Sequence, residues 1–431
     1  MDPRLFPEAK YPITFRSAEA KALGDQLKLR HSVELVGMKH VGIFNFAQFF
    51  LSQPDIVKTY VSTKDEHIFI PVDLNDLVEK NIFAFWSLTF KRLVDIVSIS
   101  VTLTKEDRDR ISSMFLSSIQ SRNIFLTLDN MRESLKIIIK NNIFPTIFFL
   151  RFDRMRDALN EEFLANLEGL RDATGQEIAY VFTSFRSLDS LAPGTFNRRS
   201  LNTFSNVSYF KPAGDFDMKV IFESLNMKYH ANPDKKVFAK LLELCGGHVQ
   251  YLQIALIILS EKKVKISEDN LLSILVEDER MELISVEMWE SLTDNERSTL
   301  KRILDGSVVV DFSASYLSQV GMIIGDGEGK RIFSSIFEHF AKSLSKSTNG
   351  VSVDFTKKEN LLYKLLVASV GDICEREKII ETVWPEYEEM GVSDWTIDQL
   401  IARLRVKLKA QKSKYVIKTV RTRGYRLVEE R

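Results

Sequence analysis

Five apolar residues near the C-terminus, Ile397, Leu400, Ile401, Leu404 and Leu408, fall at i, i+3, i+4, i+7 and i+11 and so line one buried face of a helix over 394–409. Ser393 precedes it as an N-cap. The following stretch Y-V-I-K-T-V-R-T-R-G-Y-R-L-V alternates with period two on either side of a tight turn carrying Gly424, the pattern of a β-hairpin. The helix positions outside the apolar stripe include Gln399, Arg403, Arg405, Lys407 and Lys409, and the basic residues continue through Lys418, Arg421 and Arg423. No aspartate or glutamate occurs between Ile401 and Leu427. A basic helix feeding a basic hairpin is an electrostatic footprint for phosphates, although the whole chain sums to zero with 59 Lys and Arg against 59 Asp and Glu.

Upstream, S-K-S-T-N-G at 345–350 is small, polar and without an apolar anchor, as a linker is. After it, 351–355 alternates like a short strand, and Thr356 with Glu359 forms a capping box for a helix through Val367. A second helix is expected over 374–384, stopped by Pro385. The segments S-D-W-T-I-D-Q-L-I-A-R-L-R-V-K-L and T-V-R-T-R-G-Y-R-L resemble the OmpR/PhoB-type effector domain of bacterial transcription factors, a winged helix-turn-helix, over 351–431. The resemblance implies double-stranded DNA as partner. It puts helix 394–409 in the major groove, with Gln399 and Arg403 toward base edges and Thr396 and Arg405 on the backbone. Arg421 on the wing would reach the minor groove, with Thr419 and Arg423 near phosphate. The acidic segment 386–392 occupies the family's variable loop, which in relatives can touch RNA polymerase. Relatives usually carry a phosphoacceptor receiver in front; this chain carries something else.

That other region begins with S-V-E-L-V at 32–36, a short buried strand, followed by a glycine-bounded loop and an apolar helical run at 46–51. Strand, glycine loop and helix is the P-loop layout, for which the working sequence is G-x-x-x-x-G-K-[ST]. Here Gly37 and Gly42 have the right spacing, but Ile43 stands where the lysine should be and Phe44 where the hydroxyl should be. Lys39 lies inside the loop, where substitution for the missing lysine does not follow. The second motif is lost as well: the apolar strand at 147–149 is followed by Leu150 and Arg151, and Asp153 arrives late. Further strands are expected at 67–72, 146–152 and 178–184 and helices at 84–104, 107–119 and 131–139, an α/β pattern. With F-R at 15–16, T-S-F-R at 183–186 and G-G-H at 246–248, this region resembles the AAA+/STAND class of ATPases, including its origin-recognition-like branch.

The expected architecture is therefore an α/β P-loop (AAA+/STAND-like) domain over 1–210, a helical lid over 211–280, a winged-helix-like domain over 281–345 and the C-terminal winged helix over 351–431. Within 281–345 the expectation rests on a helix at 294–304 and two short strands flanking G-D-G-E-G. Cys245 and Cys374 are far apart and each falls in a helical pattern, which suits buried thiols in a reducing compartment. No apolar run is long enough to span a bilayer, so a cytoplasmic location is expected. His31, His40 and His67 show no ligand spacing with the cysteines, so no metal site is expected, and no catalytic residue stands out. The composite expectation is a sequence-specific DNA-binding transcriptional regulator with a pseudo-ATPase scaffold and no cofactor. The scaffold would serve a controlling protein partner or homo-oligomer assembly. The alternatives are an ATP-binding switch and a DNA-recruited adaptor in a defence or mobile-element complex.

Overall fold

The computed structural model describes residues 11–62, 64–195, 206–262, 266–306, 314–325, 329–347, 355, 357–383, 394–411, 413–420 and 424–429, with the backbone alone at 314, 345–347, 357, 394–396, 399, 406, 409 and 410. The chain divides into two compact units, Met1–Lys342 and Ser343–Arg431. Among the described residues no helix is long and apolar enough to cross a membrane.

The first unit opens with α1 (Ser17–Lys28), β1 (Val33–Gly37) and α2 (Ile43–Ser52). Then follow β2 (Glu66–Asp73), three helices α3 (Ile82–Ser98), α4 (Lys105–Ser121) and α5 (Ile124–Lys140), and β3 (Ile143–Leu150). α6 (Glu161–Ala173), β4 (Ala179–Ser184), the short α7 (Leu188–Leu191) and β5 (Val207–Phe210) complete a parallel sheet of order β2-β3-β4-β1-β5. Its strands read as nearly unbroken apolar runs because both faces are covered. On one face Phe46 and Phe50 of α2 meet Phe69, Phe148 and Phe210 of the sheet. On the other, Phe85, Trp86, Leu135 and Leu164 pack over Ile70, Ile147, Phe149, Tyr180 and Phe182. The helix expected at 84–104 ends at Ser98, because Thr104 caps α4 by accepting the Asp107 amide. Asn81, Asn123 and Asn160 cap α3, α5 and α6 in the same way.

The chain continues through α8 (Asp215–Tyr229), α9 (Lys235–Cys245), α10 (Val249–Glu261), α11 (Leu271–Val276) and α12 (Glu279–Glu290). The expected break at Gly246–Gly247 separates α9 from α10. Next come α13 (Asp294–Leu304), opened by a Thr293–Glu296 capping box, α14 (Ala314–Gln319), an antiparallel pair β6 (Ile323–Ile324) and β7 (Arg331–Ile332), and α15 (Ser335–Ser347). The helix and the strand pair expected within 281–345 are present, but each strand is only two residues long, and that pair does not establish a second winged helix.

The second unit holds α16 (Lys357–Ala368), β8 (Cys374–Glu375), α17 (Arg376–Val383), α18 (Asp394–Ala410), β9 (Tyr415–Val420) and β10 (Gly424–Glu429), with sheet order β8-β10-β9. Ile397, Leu400, Ile401, Leu404 and Leu408 all enter its core, with Leu362, Ile379, Ile417 and Leu427. Cys374 is in a strand and not in the expected helix, because its backbone pairs with Tyr425. Gly424, read as part of the turn, begins β10 at φ 147°; a Cβ there would lie 2.1 Å from the Cys374 carbonyl oxygen, so close strand approach requires glycine. Residues 351–354, Thr356 and the loop 386–392 lie outside the described residues.

Candidate functional site

The loop between β1 and α2 opens at the carboxyl ends of β1, β3 and β4, where parallel sheets place their ligand crevices. The cleft measures about 350 Å³ and is lined by the whole loop from Gly37 to Phe44, with Arg151, Asp153, Phe185, Val249 and Glu287. Gly42 takes φ 108° as the residue before α2, and a Cβ on it would meet Val249 Cγ2 at 2.6 Å. α10 is thus packed directly on the loop.

His248, at the head of α10, fixes the loop chemically. Its Nε2 lies 2.9 Å from the Lys39 carbonyl oxygen, which can only accept, and Nδ1 receives the Tyr251 amide at 3.3 Å. Both partners require the neutral tautomer with the proton on Nε2. Burial pushes the imidazole pKa down to about 3, and the charge of His40 adds to this. His40 in turn places its Nε2 2.7 Å from the buried Glu287 carboxylate on α12.

Ile43 begins α2, and the Phe44 ring carries the Arg151 guanidinium at 3.7 Å. Arg151 also pairs with Asp73 at the end of β2, and its backbone amide donates to Thr183. Lys39 Nζ stands 5.2 Å from the centre of the Phe185 ring. The residues that would neutralise β- and γ-phosphates and hold magnesium are thus replaced by an isoleucine and by a phenylalanine stacked on a paired arginine. This set does not fit magnesium-bound nucleotide. Asp153 is half-buried, and its desolvation raises its pKa against the lowering effect of Lys39, Arg154 and Arg151.

The arginines of the other two signature segments are also committed. Arg186 makes a two-pronged pair with Glu296 at 2.7 and 2.6 Å, donates to the Ser291 carbonyl and lies 3.8 Å over the Tyr316 ring. Arg16 donates to Glu19 and to the Lys211 carbonyl and lies 4.2 Å over Phe210. Sequence reasoning missed Glu34, a buried acid on β1 that accepts the Leu188 amide at 2.8 Å. Burial raises its pKa to about 7, against the lowering effect of that hydrogen bond. Its signal was a single acid within an otherwise apolar strand.

In the second unit the basic residues of α18 separate into two classes. Arg405 donates from Nε to the Ile417 carbonyl at 2.9 Å and from Nη2 to the Thr419 hydroxyl at 2.8 Å, tying the helix to β9. Lys407 reaches Glu359 at 2.5 Å, and Glu359 is only 1% exposed; the proposed partner of Thr356 is thus held by a lysine read as outward-facing. Asp398 accepts from Arg376 and from the Tyr425 hydroxyl, joining α18 to α17 and β10. Arg403 is half-buried with its Nε shielded and without a hydrogen-bond partner among the described residues. Lys418 is exposed. The side chains of Thr396, Gln399 and Lys409, and the whole of Arg421 and Arg423, lie outside the described residues.

Residues 350–427 match the family described as "Transcriptional regulatory protein, C terminal", the OmpR/PhoB-type effector. Among solved structures, the chain is similar to a Walker-type ATPase of Pyrococcus abyssi (13% identity, TM-score 0.47, covering 76% of this chain and 95% of that one). It is also similar to the Aeropyrum pernix ORC2 protein in ADPNP–ADP complexes (12%, 0.45, 80% and 98%) and to the Aeropyrum pernix ORC1 protein in complex with DNA (11%, 0.41, 99% and 92%). The comparison with curated proteins found no match.

Proposed function

We propose that the protein is a sequence-specific double-stranded DNA-binding regulator of transcription whose P-loop region is a catalytically inactive scaffold. The DNA-binding half rests on the effector-family match at 350–427, and Arg403 carries the base-reading assignment. Arg405 and Lys407 on the same helix are bound internally, whereas Arg403 has no hydrogen-bond partner among the described residues and carries the planar group suited to a guanine edge. Lys418 serves phosphate. The inactive half is supported by Ile43, by the Phe44–Arg151 stack and by the packing of Val249 on Gly42. Control then comes from a binding partner and not from hydrolysis. Such a regulator works in the cytoplasm, and two buried, free cysteines suit a reducing compartment.

Selection of bound duplexes from a random library tests the first half: one enriched motif is expected, and recovery of unenriched sequence overturns it. Isothermal titration with ATP and magnesium tests the second. No saturable heat is expected, and binding at micromolar concentration would overturn the inactive-scaffold reading.

A further inference from the structure

A second cavity in the first unit shares no lining residue with the loop cleft. It measures about 810 Å³, within the size range of small-molecule sites, and lies where the start of α8, the α9–α10 turn and the β6–β7 ribbon meet. Glycines build its floor. A Cβ on Gly246 would fall 2.0 Å from the Phe333 carbonyl oxygen and one on Gly247 2.4 Å from that of Ala213, both at positive φ. The Ala213 amide donates to the Gly247 carbonyl at 2.9 Å, and the Ser334 hydroxyl donates to the Leu244 carbonyl at 2.7 Å, so the three segments are held together. Phe238 and Phe333 supply apolar wall.

Three cations, Lys211, Lys219 and Arg331, also line this cavity, and among the described residues none has a side-chain ion pair or hydrogen bond. The acids present are Asp215 and Glu243, and Lys240 already holds the Glu243 carboxylate at 2.7 Å. All three cations are solvent-exposed, so water and salt screen their mutual repulsion, and what they offer is an excess of positive charge at the rim of a preformed cavity. We propose that this cavity binds a small phosphorylated molecule with a flat apolar body, its phosphate taken by Lys211, Lys219 and Arg331 and its body laid against Phe238 and Phe333. Such a ligand bridges the lid helices and the β6–β7 ribbon, and so gives the first unit a chemical input that does not pass through the altered P-loop. It stands independently of the DNA-binding reading.

Pyridoxal 5′-phosphate is the probe, because its phosphate seeks the cations and its aldehyde condenses with a neighbouring lysine amine, losing water, to an imine that borohydride fixes for mass spectrometry. With the full chain, Lys211 or Lys219 is expected to label about tenfold faster than Lys21 and Lys58, which are likewise exposed, and Arg331→Gln to remove about that factor, the effect of one charge-assisted hydrogen bond. Asp215→Asn is expected to speed labelling, a gain that a folding defect would not produce. Lys39→Ala in the loop cleft is expected to change nothing, and inorganic phosphate to compete. Labelling at the Lys21 and Lys58 rate, or protection by a short DNA duplex but not by inorganic phosphate, would overturn the proposal.

Discussion

Arg403 and Arg405 stand two positions apart on α18 and end in different places. Arg403→Ala is expected to relax sequence preference and to cost about 1–3 kcal/mol on the selected site. Arg405→Ala is expected to weaken selected and random duplexes alike and to lower the melting temperature, because it frees β9 from the helix. Lysine at 405 should not rescue it, since an ammonium lacks the planar fork that reaches both Ile417 and Thr419. Competition binding on both duplexes checks the pair, and equal losses of preference would sink the distinction. Glu34 makes a pH prediction. Its pKa of about 7 lies above the ordinary carboxylate value of 4.5, so its contribution is complete below 4.5 and is lost as pH rises through 7. Glu34→Gln keeps an acceptor for the Leu188 amide without a charge, and is expected to gain about 1–3 kcal/mol of stability over the parent above pH 8 and little at pH 5. His248 works in the opposite sense: its folded pKa of about 3 lies below the ordinary 6.5, so its contribution holds above 6.5 and is lost as pH falls toward 3. Denaturant unfolding across pH reads both slopes.

At the scale of elements, the contact of α10 with the P-loop carries the argument. Gly42→Ala puts a methyl against Val249 at a left-handed backbone angle, and a loss of about 1–3 kcal/mol in denaturant unfolding is expected. Unchanged stability would mean that α10 moves aside freely. Which elements the sequence showed follows from how their cores are made. β1, β3 and the one-sided stripe of α18 were legible because burial writes period and polarity directly into the residues. The division between α3 and α4 was legible too, but the end of α3 was not, since apolar residues run on through Ile96, Val97, Ile99 and Val101 past Ser98, before the Thr104 cap of α4. β8 was hidden because two residues have no period, and Cys374 becomes strand only when Tyr425 arrives beside it. β5 is too short and too little buried to show a period, whereas α6 carries Phe163, Leu164, Leu167 and Leu170 at helical spacing behind the Asn160 cap.

For the whole molecule, two compact units with separate cores predict separable behaviour. Residues 343–431 alone are expected to fold and to bind the selected duplex with the affinity of the full chain; a large loss would show that the first unit contributes to the DNA surface. The sequence by itself determined the parallel α/β region, the effector domain at the C-terminus and the substitution of Ile43 and Phe44 for lysine and hydroxyl, because each is a matter of residue type at fixed local spacing. Only the tertiary structure decided that Arg405 and Lys407 are internal ties, that Arg151 stacks on Phe44, and that His248 and Val249 close on the loop. Those outcomes depend on partners from 12 to more than 200 residues away, Ile417 for Arg405 and Lys39 for His248, and chain spacing does not encode which distant group a long side chain will meet.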